Sequence, residues 1–183
     1  MKKKQSNILM IGGNARKSGK TSLICRLLEY FGPQFSIAAV KLAIYNDRQI
    51  FREHYPEAIT DGYLEIKERD PLSEKDSGKY LRAGASEGWF IAAVTENEGK
   101  VEQRIAEIVN RMDLLIFESN ALRKNIAPGI FIMVNDGRKK QKASAKAVID
   151  FVDLFVETGD EIFGQIENYI EINKNVWNLN PRL

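Results

Sequence analysis

The feature that most constrains this chain is its passage from residue 7 to residue 22. A short apolar run, Ile8, Leu9, Met10 and Ile11, leads through Gly12 and Gly13 into a small polar loop. The loop closes on Gly19, Lys20 and Thr21, and apolar residues at helical spacing follow. That order is strand, phosphate loop, helix. Consecutive backbone N–H groups and the unpaired amides of a helix's first turn make a cradle for an anion. Gly13, Asn14, Ala15, Arg16, Lys17, Ser18, Gly19, Lys20, Thr21 and Ser22 are therefore the candidate nucleotide-binding residues. Lys20 adds a point charge for the terminal phosphates, and Thr21 offers its hydroxyl to a magnesium ion.

The usual pattern has glycine six positions before the lysine, where this chain has Asn14, and Gly13 stands one residue early. Two readings follow. Either the loop is one residue longer, from Gly13 to Gly19, or Asn14 takes the glycine position, because Asn tolerates left-handed backbone angles better than most residues.

Composition narrows the class. With 183 residues, 44% of them hydrophobic and 28% charged, the chain has the make-up of one soluble domain, residues 1–183, with a sizeable core. Twenty-seven basic residues against 25 acidic ones give a net charge of +2, which calls for neither nucleic acid nor an anionic membrane as the main partner. The one cysteine, Cys25, falls in the first helix beside Ile24 and Leu28 and reads as core filler, so no disulfide framework is available. The basic start is followed by an apolar run too short for a signal peptide, and no stretch is long enough to span a bilayer. A cytoplasmic location is expected.

Beyond the loop, Leu23, Ile24, Leu27, Leu28 and Phe31 mark a helix ended by Gly32 and Pro33. Residues 35–40 read as a second strand with Lys41 at its carboxyl end, the edge where ligands collect in open α/β sheets. Residues 45–77 are crowded with charge and lack regular apolar spacing, which suggests a long excursion or lid. His54 lies within it and reads as a surface histidine rather than a catalytic one. A short helix ending at Gly84, a third strand over 89–94 and an amphipathic helix over 99–112 come next.

Asp113, Leu114, Leu115, Ile116, Phe117 and Glu118 describe a central parallel strand that delivers a carboxylate to the sheet's carboxyl edge. Beside a phosphate loop such an acid orders magnesium, directly or through water. Lys20 and Glu118 are thus the candidate catalytic residues, and Thr21 and Glu118, with Asp76 as a weaker third, the candidate metal shell. Another strand, 130–134, ends on Asn135, Asp136 and Gly137, where a guanine-reading Asn-Lys-x-Asp motif is absent because Asp136 replaces the lysine. The basic run 138–142 reads as a solvated loop. Residues 143–149 look helical, 154–156 a final strand and 162–170 a last helix; the tail from Trp177 carries no readable pattern.

Taken together, the chain resembles the molybdopterin-guanine dinucleotide biosynthesis protein B family, small GTP-binding adapters of molybdenum cofactor maturation. Four features carry the likeness: the loop with Ser18, Gly19, Lys20 and Thr21; Lys41 ending strand two; Lys75, Asp76 and Ser77 followed by Leu81, Arg82, Ala83, Gly84 and Ala85; and the run from Asp113 to Glu118. The departures are Leu42, Ala43, Ile44 and Tyr45 where the family has histidines, Ser119 and Asn120 in place of a glycine, and a longer charged excursion. The resemblance implies an α/β P-loop NTPase fold, a mostly parallel sheet with helices on both faces. It implies GTP as the bound nucleotide, with ATP the alternative, Mg2+ as cofactor, Lys41 approaching the γ-phosphate, a molybdenum cofactor biosynthesis protein as partner, and a homodimer. Three functions fit these motifs: a GTP-binding adapter or slow GTPase, a small-molecule kinase with residues 45–77 as its lid, and a protein that binds nucleotide without catalysis. An adapter needs only a site that holds its nucleotide, whereas a kinase also needs a base beside an acceptor hydroxyl and a lid that excludes water.

Overall fold

Burial on both sides of the first strand decides the architecture. In the computed structural model, which describes residues 4–57 and 61–180, β1 (Lys4–Gly13) sends Leu9 and Ile11 to one face and Ile8 and Met10 to the other, all fully buried. A strand apolar on both faces belongs inside a sheet covered on both sides. The cover comes from the chain that alternates with the strands. In order these elements are α1 (Lys20–Phe31), β2 (Ile37–Tyr45), α2 (Arg48–His54), β3 (Tyr63–Lys67), α3 (Asp76–Arg82), β4 (Glu87–Val94), α4 (Glu98–Val109), β5 (Leu114–Glu118), β6 (Ala127–Asn135), α5 (Ala143–Lys146), β7 (Leu154–Glu157), α6 (Glu161–Gly164), β8 (Ile170–Asn173) and β9 (Val176–Leu179).

Seven of the strands form one sheet in the order β3-β4-β2-β5-β1-β6-β7, parallel throughout except where β3 runs antiparallel to β4. On one face α1 packs Leu23, Ile24, Leu27 and Leu28 against Leu9, Ile11, Ile116 and Ile132, joined by Tyr80 of α3 and by Ile166 and Trp177. On the other, Val101, Ile105 and Ile108 of α4 and Ala145 of α5 cover Ile8, Met10, Val40 and Phe117. The fold is α/β, a mostly parallel sheet flanked by helices. Among the described residues no helix is long and apolar enough to cross a membrane.

Three expectations need correction. Strand β2 runs on to Tyr45, so Lys41 stands within it and not at its end. The charged stretch 45–77 is built into the fold: α2 buries Phe51 against Ala92 and Val94, and β3 pairs with β4 as an edge strand. Its charges gave no apolar period because an edge strand and a one-face helix bury few side chains; residues 58–60 of that stretch lie outside the described residues. The last helix is shorter than its apolar spacing suggested. Residues 161–168 make α6 and a further single turn, after which Ile170 belongs to β8, paired with β9 through a turn in which Lys174 and Asn175 both have positive φ, 51° and 58°. That is the two-residue hairpin geometry whose twist suits paired strands. The tail is therefore structured through Leu179, and only residues 181–183 lie outside the described residues.

Trp177 of β9 is 1% exposed and meets Phe31 edge-to-face at 5.6 Å, while its indole N–H is buried without an acceptor. Truncation removes a large apolar contact and an unpaired donor together, so Trp177→Ala should cost about 3 kcal/mol, the lower end for a buried aromatic. Urea unfolding measures it. A loss under about 1 kcal/mol would place the hairpin outside the cooperative core.

Candidate functional site

The site begins with strand register. Ile11 pairs with Glu118 across β1 and β5, and Lys41 pairs with Glu118 across β2 and β5, so the three residues stand side by side at one level. Side chains alternate along a strand. Since Leu9, Ile11, Ala39 and Ile116 all face α1, Lys41, Glu118 and Gly13 face that way too. A carboxylate and an ammonium therefore emerge beneath the start of α1, on neighbouring strands.

The turn from β1 into α1 depends on two glycines. A Cβ on Gly13 would lie 2.5 Å from Ser18 Oγ and 2.8 Å from Lys20 Cδ, so any larger residue there would push both side chains from their present places over the strand end. Gly19 precedes α1 at φ 84°, a left-handed angle open to glycine. No side chain caps this helix and no acid lies in its first turn. Its positive end is left to whatever anion approaches.

Asn14 does something other than the sequence suggested. It is not in the left-handed region, where the loop instead has Lys17 at φ 53°. Its side chain is buried and turned toward β6: Nδ2 donates to Asn135 Oδ1 and to the Asp136 carbonyl at 3.2 Å, and Oδ1 accepts from the Asp136 amide at 2.9 Å. Asn14 anchors the loop, and the tight approach falls at Gly13. Asn120, which sequence reasoning passed over, clasps Gly13 from the other side, its amide group exchanging two 3.0 Å hydrogen bonds with the Gly13 backbone. Thr158 Oγ1 donates to the Ser18 carbonyl at 2.8 Å, a link from 140 residues away that no local pattern announces.

Five charges form a chain over the loop. Lys41 Nζ lies 2.9 Å from Glu118 and 3.0 Å from Asp76; Lys79 lies 3.6 Å from Asp76; and Lys20 lies 3.4 Å from Glu118. Lys20 Nζ also reaches the Ala15 carbonyl and Ser18 Oγ, each at 3.4 Å. Charge-assisted hydrogen bonds run near 2.7–2.9 Å. Lys41 is thus firmly held, whereas Lys20 is held by three long contacts and is the cation free to turn toward a ligand. Burial opposes the charge on Lys41, but Glu118 and Asp76 outweigh it and raise its pKa above the ordinary lysine value.

Lys17, Ser18, Gly19, Lys20, Thr21, Ser22, Lys41, Asp76 and Glu118 all line one cavity of about 1050 Å³. Of the other expected residues, Gly13 and Arg16 line a second cavity beyond Lys20, Asn14 faces β6, and Ala15 contributes its carbonyl to Lys20. His54 lines neither; its Nδ1 meets the Ile50 carbonyl at 2.8 Å on the exposed end of α2. Cys25 packs, partly buried, against the core around α1 and also borders the first cavity; burial, followed by the charge of Glu29, pushes its thiol up to about 11.

Among the described residues no cluster of three or more His, Cys, Asp or Glu could hold a metal ion. An all-protein metal cage is therefore not built here. The Thr21 hydroxyl and the Glu118 and Asp76 carboxylates line the same cavity and are donor types that could hold a magnesium ion, which takes one or two carboxylates and fills its remaining positions with phosphate oxygens and water. Tyr80 adds a buried hydroxyl without a well-formed hydrogen bond, close to Thr21. Burial, then the charges of Glu118 and Asp76, raises its pKa well above the tyrosine range.

Comparison with profiles of known protein families, with characterised proteins and with solved structures finds no match to this chain.

Replacing Asn14 by glycine would create the usual loop pattern, yet the hydrogen bonds from Asn14 to β6 would be lost with the Asp136 amide left unpaired. The expected cost is roughly 1–3 kcal/mol of stability. Denaturant unfolding of Asn14→Gly checks it, and an unchanged or raised midpoint would contradict the anchoring role.

Proposed function

We propose that the chain is a P-loop nucleotide-binding protein that holds the phosphates of a nucleoside triphosphate, with magnesium, in the cavity under the start of α1. One observation supports this above the rest: a loosely held lysine, an uncapped helix start and a hydroxyl–carboxylate pair open into the same cavity. Lys20 turns from Glu118 to the β and γ phosphates, and the amides from Gly13 to Thr21 surround them. Thr21 and Glu118, with Asp76 beside them, hold the magnesium ion. The metal, when bound, neutralises charge on the terminal phosphates. Lys41, fixed between Glu118 and Asp76, keeps both carboxylates in position and adds positive charge near the γ-phosphate.

Within that class the reading is a GTP-binding adapter or slow GTPase related to molybdenum cofactor maturation. The sequence resemblance supports GTP, the biosynthetic partner and a homodimer. The kinase reading has less support: α2 and β3 pack at the sheet edge, and of the candidate bases in residues 45–77, His54 lies outside both cavities while Asp47 lines the second. What favours it still is the second cavity, which shares Lys20 and Glu118 with the first.

Calorimetric titration with GTP and ATP, with and without Mg2+, tests the reading. GTP should bind more tightly, with metal dependence that weakens in Glu118→Gln. Lys20→Ala should lose about ten- to a hundredfold in affinity, as expected for a charge-assisted contact of roughly 1.5–3 kcal/mol. Phosphate release by the isolated protein should run well below about 1 per second. Unchanged triphosphate binding by folded Lys20→Ala would refute the assignment.

A further inference from the structure

The second cavity lies across Lys20 and Glu118 from the first and measures about 650 Å³, a size that takes a small molecule. Its lining combines apolar Leu42 and Ile44 of β2 and Ile50 of α2 with the cations Arg16 and Lys142 and the carboxylates Asp47 and Glu98. The cations are placed by the fold. The Lys142 amide donates to the Asn14 carbonyl at 2.8 Å, which holds the end of the basic run 138–142 beside the loop. Within that run Lys139 is absorbed structurally, paired with Asp136 and bonded to the Arg16 and Lys17 carbonyls at 3.3 and 3.0 Å. Lys142 is not. Among the described residues neither its ammonium nor the Arg16 guanidinium has a carboxylate partner within ion-pair distance.

The electrostatic balance follows. Three carboxylates line the cavity and each is engaged: Lys41 and Lys20 share Glu118, Asp47 accepts from the Gln49 and Ile50 amides at the start of α2, and Glu98 accepts from the Asn125 side-chain amide at 2.9 Å. Burial first, then the nearby charges of Lys20, Arg16 and Lys41, lowers the pKa of Lys142, so its charge is held at a cost that an anion would relieve. A triphosphate in the first cavity would engage Lys20 and leave Arg16 and Lys142 facing the second. Apolar side chains beside two cations that no carboxylate pairs suit a compact amphipathic anion.

We propose that this second cavity binds a small anionic molecule, with a phosphate or carboxylate group on Lys142 and Arg16 and its apolar part on Leu42, Ile44 and Ile50. The inference rests on the nucleotide reading for what occupies the first cavity. Both ligands then meet at Lys20 and Glu118, so the nucleotide's terminal phosphate and the second ligand lie on opposite sides of one pair of side chains.

The test uses the full chain saturated with Mg2+ and a non-hydrolysable GTP analogue, titrated separately with inorganic phosphate and with succinate. Amide NMR shifts at Asn46, Ala121 and Ser144, which border only this cavity of the two, report the binding. Saturable shifts with phosphate alone assign a phosphorylated ligand, with succinate alone a carboxylic acid, and either result supports the site. Lys142→Ala should weaken that binding about tenfold or more while leaving analogue affinity unchanged, and Lys142→Arg should restore it. No shift with either probe, displacement of the analogue by the probe, or indifference to Lys142→Ala overturns the inference. If the analogue itself fails to bind, the nucleotide reading falls, and the same titrations on ligand-free protein and both variants still decide whether this cavity takes an anion.

Discussion

Three neighbouring parallel strands held in one register keep the rest of this molecule in place. The pairings of Ile11 with Glu118 and of Glu118 with Lys41 set these residues on strands about 4.8 Å apart, with side chains directed to the same face. A slip of one residue in β5 would put Phe117 in the place of Glu118 and send the carboxylate into the apolar layer under α4. The apolar residues forbid that slip. Leu114 and Ile116 face α1, Leu115 and Phe117 face α4, and all four are fully buried. Core packing thus fixes the register, and the register delivers the charges.

A carboxylate as buried as Glu118, 7% exposed, is tolerated only with partners. Lys41 supplies the close one and Lys20 the distant one. The difference in distance separates structure from availability. Lys41 neutralises Glu118 whether or not a ligand is present, while Lys20 can leave without stranding the carboxylate. Gly13 makes this possible, because any side chain there would occupy the space into which Lys20 folds.

Much of this was legible in the sequence. The central strands, α1 and α4 announce themselves by apolar runs and helical spacing because they bury most of their apolar side chains. The loop residues, Lys41, Asp76 and Glu118 were readable as a group because each stands next to such an element. What escaped was what depends on long-range contact. The anchoring of Asn14 to β6, the Asn120 clasp and the Thr158 bond span more than a hundred residues, and Asn14 was read for its backbone tolerance when its side chain mattered. Edge strand β3 and the β8–β9 hairpin were missed because short edge elements bury too little for a clear period.

A crystal structure of the protein with Mg2+ and a non-hydrolysable triphosphate analogue tests the central claim most directly. The account predicts the phosphates over the amides of the loop, Lys20 Nζ moved from Glu118 onto phosphate oxygens, and Lys41 still within hydrogen-bond distance of Glu118. Phosphates bound elsewhere, or Lys20 left on Glu118 and the Ala15 carbonyl with the analogue in place, would contradict it.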